Sequence, residues 1–392
     1  MTKLNPGPSP DLKPAALMQT ALLNSLNSVG LSVKDINGLI AVPSLADTHF
    51  MEAHYIATNI GLLPGKSIIV RTVDTGGAGP VTGLLEAKRM VQMEGADLVA
   101  VVKNLPSDEF LRRADQTCLH PDSNLSSPVI PSGYDRMAQY QMKNFGTTRE
   151  QLAMCSALMS IMASRHPFAL TKTPRTVDDV LNAPHVAPVT SVLECARRAD
   201  GGAAILVASS RFLERKGLPK DTGVVIIGGG EASGPLFPPK DVDSISENIF
   251  SCEEAAAVAY EEAQLSVRDI DFFGLYDCFP ICLIRAIEAV GLAPKGRGGA
   301  YVELAYHKIL EQMKNGGTVR PQDYFPINTH GGLLAFGAPW EVPAMYNIIE
   351  AFAQLKGEAG QRQVRGAGRA LVYGNGGIFS HSSVAILGNG RY

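Results

Sequence analysis

Small and apolar residues recur at three- and four-residue spacing through residues 14–29 and again through 252–264, the period that lines one face of a helix. Each stretch runs into nearly the same peptide: Leu31-Ser-Val-Lys-Asp-Ile-Asn-Gly-Leu-Ile40 returns as Leu265-Ser-Val-Arg-Asp-Ile-Asp-Phe-Phe-Gly-Leu-Tyr276. Both copies therefore predict a helix, a corner and a strand. Further along, a Gly-rich turn (74–79), a helix (80–94) and a strand (97–102) are matched in order by 331–339, 340–356 and 369–373. A period this long with βαβ content predicts two related α/β units, because solenoid repeats are far shorter.

The stretch between the halves has its own proline turns and a helix predicted over 147–165. It reads as an insertion carried by the first unit, and loops of that size are commonly functional. Ala199-Asp-Gly-Gly-Ala-Ala-Ile-Leu-Val-Ala-Ser209 then supplies an apolar closing strand. The organisation expected is a first domain of 1–104 and 191–220, an inserted loop domain of 105–190, and a second domain of 221–392.

At 392 residues, with 45% hydrophobic and 19% charged residues, the chain is long enough for two cores. A net charge of −3 gives no sign of nucleic-acid binding. The six cysteines form no CxxC pair and the eight histidines do not cluster at ligand spacing, so no structural zinc or other metal is expected. No stretch has the length and apolarity of a membrane span, and the N-terminus lacks a secretory core, which points to an intracellular protein. The terminal Gly390-Arg-Tyr392 is not a peroxisomal address, leaving the cytosol or the mitochondrion.

Five segments in order resemble the thiolase superfamily, in its sterol-carrier-protein or lipid-transfer-protein branch: Phe145-Gly-Thr-Thr-Arg-Glu-Gln-Leu-Ala153, Val177-Asp-Asp-Val-Leu-Asn182, Ala199-Asp-Gly-Gly-Ala203, Tyr276-Asp-Cys-Phe279 and Asn328-Thr-His-Gly-Gly332. The resemblance implies a thiolase fold, α/β, with two duplicated βαβ-type domains in five layers and an inserted loop domain that helps bind CoA. It also implies a homodimer. One departure is evident: such chains usually open with an apolar strand, whereas residues 1–13 are polar and proline-rich.

Thiolase chemistry requires a thiolate to carry the acyl group, an acid/base for the α-carbon and donors for the thioester oxygen. The resemblance places the nucleophile in the turn Asp74-Thr-Gly-Gly-Ala-Gly79, where Gly76, beside Gly77, stands for the cysteine. A glycine cannot form an acyl-enzyme, although amides at a helix N-terminus can still receive a thioester oxygen. The family's histidine turn reads Gly337-Ala-Pro339, with Ala338 in the place of the histidine. Its C-terminal cysteine aligns with Tyr373 in Tyr373-Gly-Asn-Gly-Gly377, a turn that includes Asn375 and Gly376. In the loop that reads His-Asp-Cys-Phe in the sterol-carrier branch, Tyr276 replaces the histidine while Asp277, Cys278 and Phe279 remain.

Tyr276, Asp277, Cys278, His330 and Tyr373 are thus the candidate catalytic groups. Each tyrosine either moves a proton or fills the space of a lost side chain. Cys282 reads as core, His381 as a strand histidine near the same region, and His166, His185 and His307 as structural or surface residues. The pattern is similar to lipid-transfer-protein aldolases, which lack the cysteine and cleave β-hydroxyacyl-CoA by a retro-aldol route. Three functions follow: a cysteine-independent C–C lyase acting on CoA thioesters in lipid or sterol metabolism, a silent acyl-CoA binder, or an acyltransferase or thioesterase using Cys278. All three take CoA as ligand and need no other cofactor, with Arg112, Arg113, Arg149 and Lys172 as candidate contacts to its phosphates. The aldolase relatives imply in addition a small CoA-positioning partner.

Overall fold

The computed structural model describes residues 1–5, 14–43, 50–105, 129–316, 319–339 and 342–390. Arg112 and Arg113 lie outside them. Helix α1 (Pro14–Asn27) leads to β1 (Gly38–Ala41), followed by α2 (Glu52–Asn59), β2 (Ile69–Thr72), α3 (Gly79–Met93) and β3 (Leu98–Leu105). The insertion carries α4 (Val129–Phe145), α5 (Arg149–Ala163), α6 (Val177–Leu181) and a hairpin of β4 (His185–Ala187) and β5 (Thr190–Ser191). Strand β6 (Gly201–Ala208) completes the first sheet, and α7 (Ser210–Lys216) leads out of it. The second half runs through β7 (Val225–Ser233), α8 (Cys252–Ala263), β8 (Phe272–Leu275), α9 (Pro280–Ala289), α10 (Gly298–Lys314), α11 (Pro343–Lys356), β9 (Arg369–Gly376) and β10 (His381–Gly388).

The repeated peptide has one physical reason in both places. The carboxylate of Asp35 accepts from the backbone N–H and the hydroxyl of Ser32, at 2.8 and 3.0 Å. Asp269 does the same to Ser266, at 2.8 Å for both bonds. Each Ser-Asp pair closes a short 3₁₀ turn and aims the chain into a parallel strand, β1 or β8.

The sheets are ordered β2-β1-β3-β6 and β8-β9-β10-β7, so β1, β3 and β6 correspond to β8, β9 and β10. In each sheet the last of these three runs antiparallel to the middle one. Strand β3 is apolar on both faces. Leu98, Ala100 and Val102 pack with Met18, Leu22 and Leu26 of α1, while Val99 and Val101 pack with Val81, Leu84 and Leu85 of α3. A strand covered by helices on both sides reads as a continuous apolar run, as this one does.

Helices α3 and α11 occupy the layer between the sheets, with α1 and α2 outside the first sheet and α8 outside the second. Glycines let the layers close: a Cβ on Gly229 of β7 would lie 2.2 Å from a methyl of Leu85. The N-terminus differs from its polar reading. Asn5 and Asp200 exchange two backbone bonds, of 3.0 and 2.8 Å, so residues 2–5 pair with the start of β6. Such pairing uses only the backbone, which side-chain patterning does not register.

Candidate functional site

The turn 74–79 enters α3 with Gly76 in the left-handed region, at φ 57°. The end of β9 presses on it backbone to backbone. A Cβ on Gly374 would lie 2.9 Å from Cα of Ala78, and one on Gly376 would lie 2.0 Å from the carbonyl oxygen of Thr75. Gly77 points at the tyrosine loop instead: its Cβ would lie 2.3 Å from Oη of Tyr276 and 2.4 Å from the carbonyl oxygen of Asn375. The Tyr276 phenol therefore fills the volume that a side chain on this turn would need.

Tyr276 follows β8 directly, and Phe279 caps α9 with a proline at the helix's first position. Cys278 Sγ lies 3.5 Å from Cys282 Sγ, so the thiol read as plain core is half of a pair. Phe279 stacks on Tyr134 of α4, with centroids 4.7 Å apart and planes at 25°. Asn375 Nδ2 donates to Tyr134 Oη at 3.0 Å, while Tyr134 donates to the carbonyl of Gly377. Tyr373 Oη lies 3.4 Å from both Asn375 Oδ1 and Ser382 Oγ. Burial first, and then the neighbouring Cys278, hold the Tyr134 phenol far above its ordinary pKa. Burial does the same to Tyr373. Both are neutral donors at physiological pH.

Tyr134 carried no signal in the sequence reading. One was available: Gly133, a glycine inside a helix, whose Cβ would lie 2.1 Å from Ile378. An interior helix glycine marks a close approach, here of α4 onto the turn after β9.

Other expected residues lie elsewhere. Asp277 is fully buried, and its Oδ1 accepts from the Leu333 amide at 2.8 Å. A Cβ on Gly332 would meet its other oxygen at 2.1 Å. Burial raises its pKa to about 7, against the backbone hydrogen bonds that lower it. Asp277 thus holds the turn Gly332–Phe336. His330 is brought to Phe336, edge on at 5.1 Å, and among the described residues its Nδ1 finds no hydrogen-bond partner. Burial lowers it to about 4, with Glu350 pulling the other way, so it stays neutral. Beside it Arg362 grips Glu350 through two bonds of 3.0 Å, and Thr329 donates to Glu350 at 2.6 Å.

Ala338 donates its amide to the Arg197 carbonyl at 2.6 Å, so that N–H is already engaged. Arg149 grips Glu194 through two bonds of 2.7 Å, and Lys172 donates to the carbonyls of His166 and Pro167 at 3.2 and 2.7 Å. These pairings, rather than open positions, are what a phosphate would meet at Arg149 and Lys172. His381 binds Ser233 Oγ at 2.9 Å on the second sheet. The cavity against Tyr134 and Phe279 holds about 10 Å³, on the order of one water. Among the described residues, no three His, Cys, Asp or Glu side chains are placed to hold a metal, and no helix is long and apolar enough to cross a membrane.

Residues 242–389 match the family described as thiolase C-terminal domain-like. The chain is 34% identical over 261 residues to an acetyl-CoA acetyltransferase of Methanothermobacter thermautotrophicus, covering 66% of this chain and 63% of that protein. It is 30% identical over 253 residues to sterol carrier protein 2 of Bos taurus, covering 64% of this chain and 44% of that protein. This chain belongs to the thiolase superfamily. Its sterol-carrier relatives place it in that branch, and it spans less than two thirds of the length of these curated relatives.

Solved structures bear out the thiolase fold. An Ltp2-ChsH2(DUF35) aldolase superposes with a TM-score of 0.79 at 22% identity, covering 100% of this chain and 96% of that one. Human mitochondrial 3-ketoacyl-CoA thiolase gives a TM-score of 0.69 at 13% identity, covering 99% and 96%. At these identities the likeness is one of fold.

Proposed function

We propose that this thiolase-superfamily chain binds CoA thioesters and cleaves a C–C bond in them without an acyl-cysteine. The observation that supports this best is the Tyr276 hydroxyl standing where a side chain at Gly77 would be, 2.3 Å from its Cβ position. The glycine turn removes the covalent step and leaves a phenol at the mouth of a helix N-terminus. In a retro-aldol step on a β-hydroxyacyl thioester, the Cα–Cβ bond breaks and its electron pair becomes a thioester enolate. The β-hydroxyl proton leaves through Tyr276 as the β-carbon becomes a carbonyl. The Gly77 amide in the turn into α3 is suited to the enolate oxygen, since Pro80 has no N–H and the Ala78 and Gly79 amides donate to Thr75 and Gly76, and the buried phenols or the Cys278 thiol are suited to returning a proton to the α-carbon.

The aldolase superposed above is named as an assembly with a DUF35 protein. We extend the proposal to a small partner that positions CoA, and to a dimer of this chain. The silent acyl-CoA binder is the second reading. It is favoured by the small cavity at Tyr134 and by the engagement of Arg149 with Glu194.

The test is calorimetric titration with CoA, acetyl-CoA and a β-hydroxyacyl-CoA, followed by mass spectrometry of each mixture. A new carbonyl product and a shortened thioester support the lyase. Binding with thioesters returned intact, with and without a DUF35 partner, supports the silent binder. No binding at all removes both.

A further inference from the structure

Strands β7 and β10 of the second sheet carry polar side chains that the lyase reading leaves unused. They pair antiparallel, with His381 opposite Ser233 and Ser383 opposite Glu231, so all four side chains share one face of the sheet. His381 Nδ1 lies 2.9 Å from Ser233 Oγ, and its Nε2 lies 3.6 Å from Glu231 Oε1. Glu231 is itself held from two sides, by Arg89 of α3 donating at 2.8 Å and by Ser383 at 3.4 Å. Burial raises the pKa of its carboxyl, but the bonds from His381 and Arg89 outweigh this and hold it at about 2. Glu231 is therefore ionised throughout the physiological range.

The connection between α3 and this face needs neither Ser233 nor His381. Arg89 to Glu231, and Thr82 to Ser383 at 2.7 Å, already make it. Ser233 and His381 stand beyond those contacts, at the end of β7, with Ser233 exposed and His381 21% exposed. An ionised carboxylate beside Nε2 keeps the ring proton there and leaves the Nδ1 lone pair facing the serine hydroxyl. A donor for an oxyanion is present as well. The Gly234 amide donates to the Ser380 carbonyl at 2.8 Å, so the alternation of the ladder turns the amides of Gly229 and Ser233 away from β10, to the free edge of the sheet. Gly229 follows the rule, its amide donating to Glu262 at 2.6 Å. Among the described residues, nothing accepts from the Ser233 amide.

We propose that Ser233, His381 and Glu231 form a second catalytic site, hydrolytic and distinct from the tyrosine site, for carboxylic esters and thioesters. Ser233 Oγ adds to the acyl carbon while its proton passes to His381 Nδ1, and the oxyanion meets the Ser233 amide. The bond to the leaving alcohol or thiol breaks as His381 returns the proton to it. Water then adds to the acyl-serine, gives a proton to His381 and releases the acid, and the serine recovers its hydrogen. Glu231 touches no substrate; it positions His381 and offsets the charge of the imidazolium. The proposal stands apart from the lyase reading, since neither Tyr276 nor Cys278 enters it.

The test treats the purified chain with a fluorophosphonate, which bonds to an activated serine with loss of fluoride, and maps the added mass by peptide mass spectrometry. Label at Ser233 is expected, and His381→Gln should slow its formation by a factor on the order of 10² or more. Glu231→Gln should slow it as well, and Glu231→Asp should restore part of the rate. Release of nitrophenol from p-nitrophenyl acetate should fall about tenfold or more in Ser233→Ala, with melting temperatures showing that each variant is folded. Absence of label at Ser233 under conditions that saturate an ordinary serine protease would overturn the proposal. So would labelling at the parent rate in His381→Gln, or nitrophenol release from Ser233→Ala equal to that of the parent.

Discussion

Tyr276 and a side chain at residue 77 compete for one volume, which makes the pair testable from both sides. Gly77→Ala should destabilise by about 1–3 kcal/mol, as overpacking does, and Tyr276→Ala in the same chain should recover part of the lost melting temperature. Tyr276→Phe keeps the packing and removes the proton. If the lyase reading holds, turnover should fall by a factor on the order of 10² to 10⁴ with thioester affinity nearly unchanged. Loss of both together would assign Tyr276 to binding instead. The glycine turn and its tyrosine were legible because substitutions at separated motifs agreed with one another. Tyr134 was not, because its role depends on α4 reaching the turn after β9 from a distant part of the chain. His330 was read from its motif alone, and burial beside Glu350 and Arg362 is a tertiary fact that no motif states.

Among elements, the loop between β8 and α9 depends on one carboxylate. Asp277 has a folded pKa near 7 against an ordinary value of 3.8, so between about pH 4 and 7 the folded chain binds the extra proton. Its contribution to stability is therefore fullest below about pH 4, falls as pH rises to about 7 and is flat above. Asp277→Asn, which can still accept from the Leu333 amide, should remove that fall. Denaturant titrations across this range should show the variant gaining on the parent toward neutral pH, and parallel curves would show that Asp277 does not titrate there. The Ser-Asp corners were legible in the sequence because their chemistry is local: capping spacing, helix and strand lie within a dozen residues. The pairing of residues 2–5 was not, since it is made by backbone groups about 200 positions apart.

For the whole molecule, α3 and α11 lie between the two sheets and belong to the core of both, as Leu85 against Gly229 illustrates. One calorimetric unfolding transition is expected, with van't Hoff and calorimetric enthalpies in agreement, rather than one transition per half. Two resolved transitions would mean that the central layer divides cleanly. The duplication was visible in the sequence as an echo, whereas the sharing of one helical layer by both halves was not, because a helix apolar on several faces does not say which sheet each face meets.

The contact of Gly374 and Gly376 with Ala78 and Thr75 carries a consequence for how such a site can change over time. The first half's turn takes its shape from backbone supplied by the second half, so a side chain larger than hydrogen at either glycine would push the turn from its place whatever residues the turn carried. Chemistry here can be exchanged around the contact, at 276 or 373, while the contact itself stays fixed. A fragment bearing only the first half would own every residue of the turn and still lack the mould that forms it.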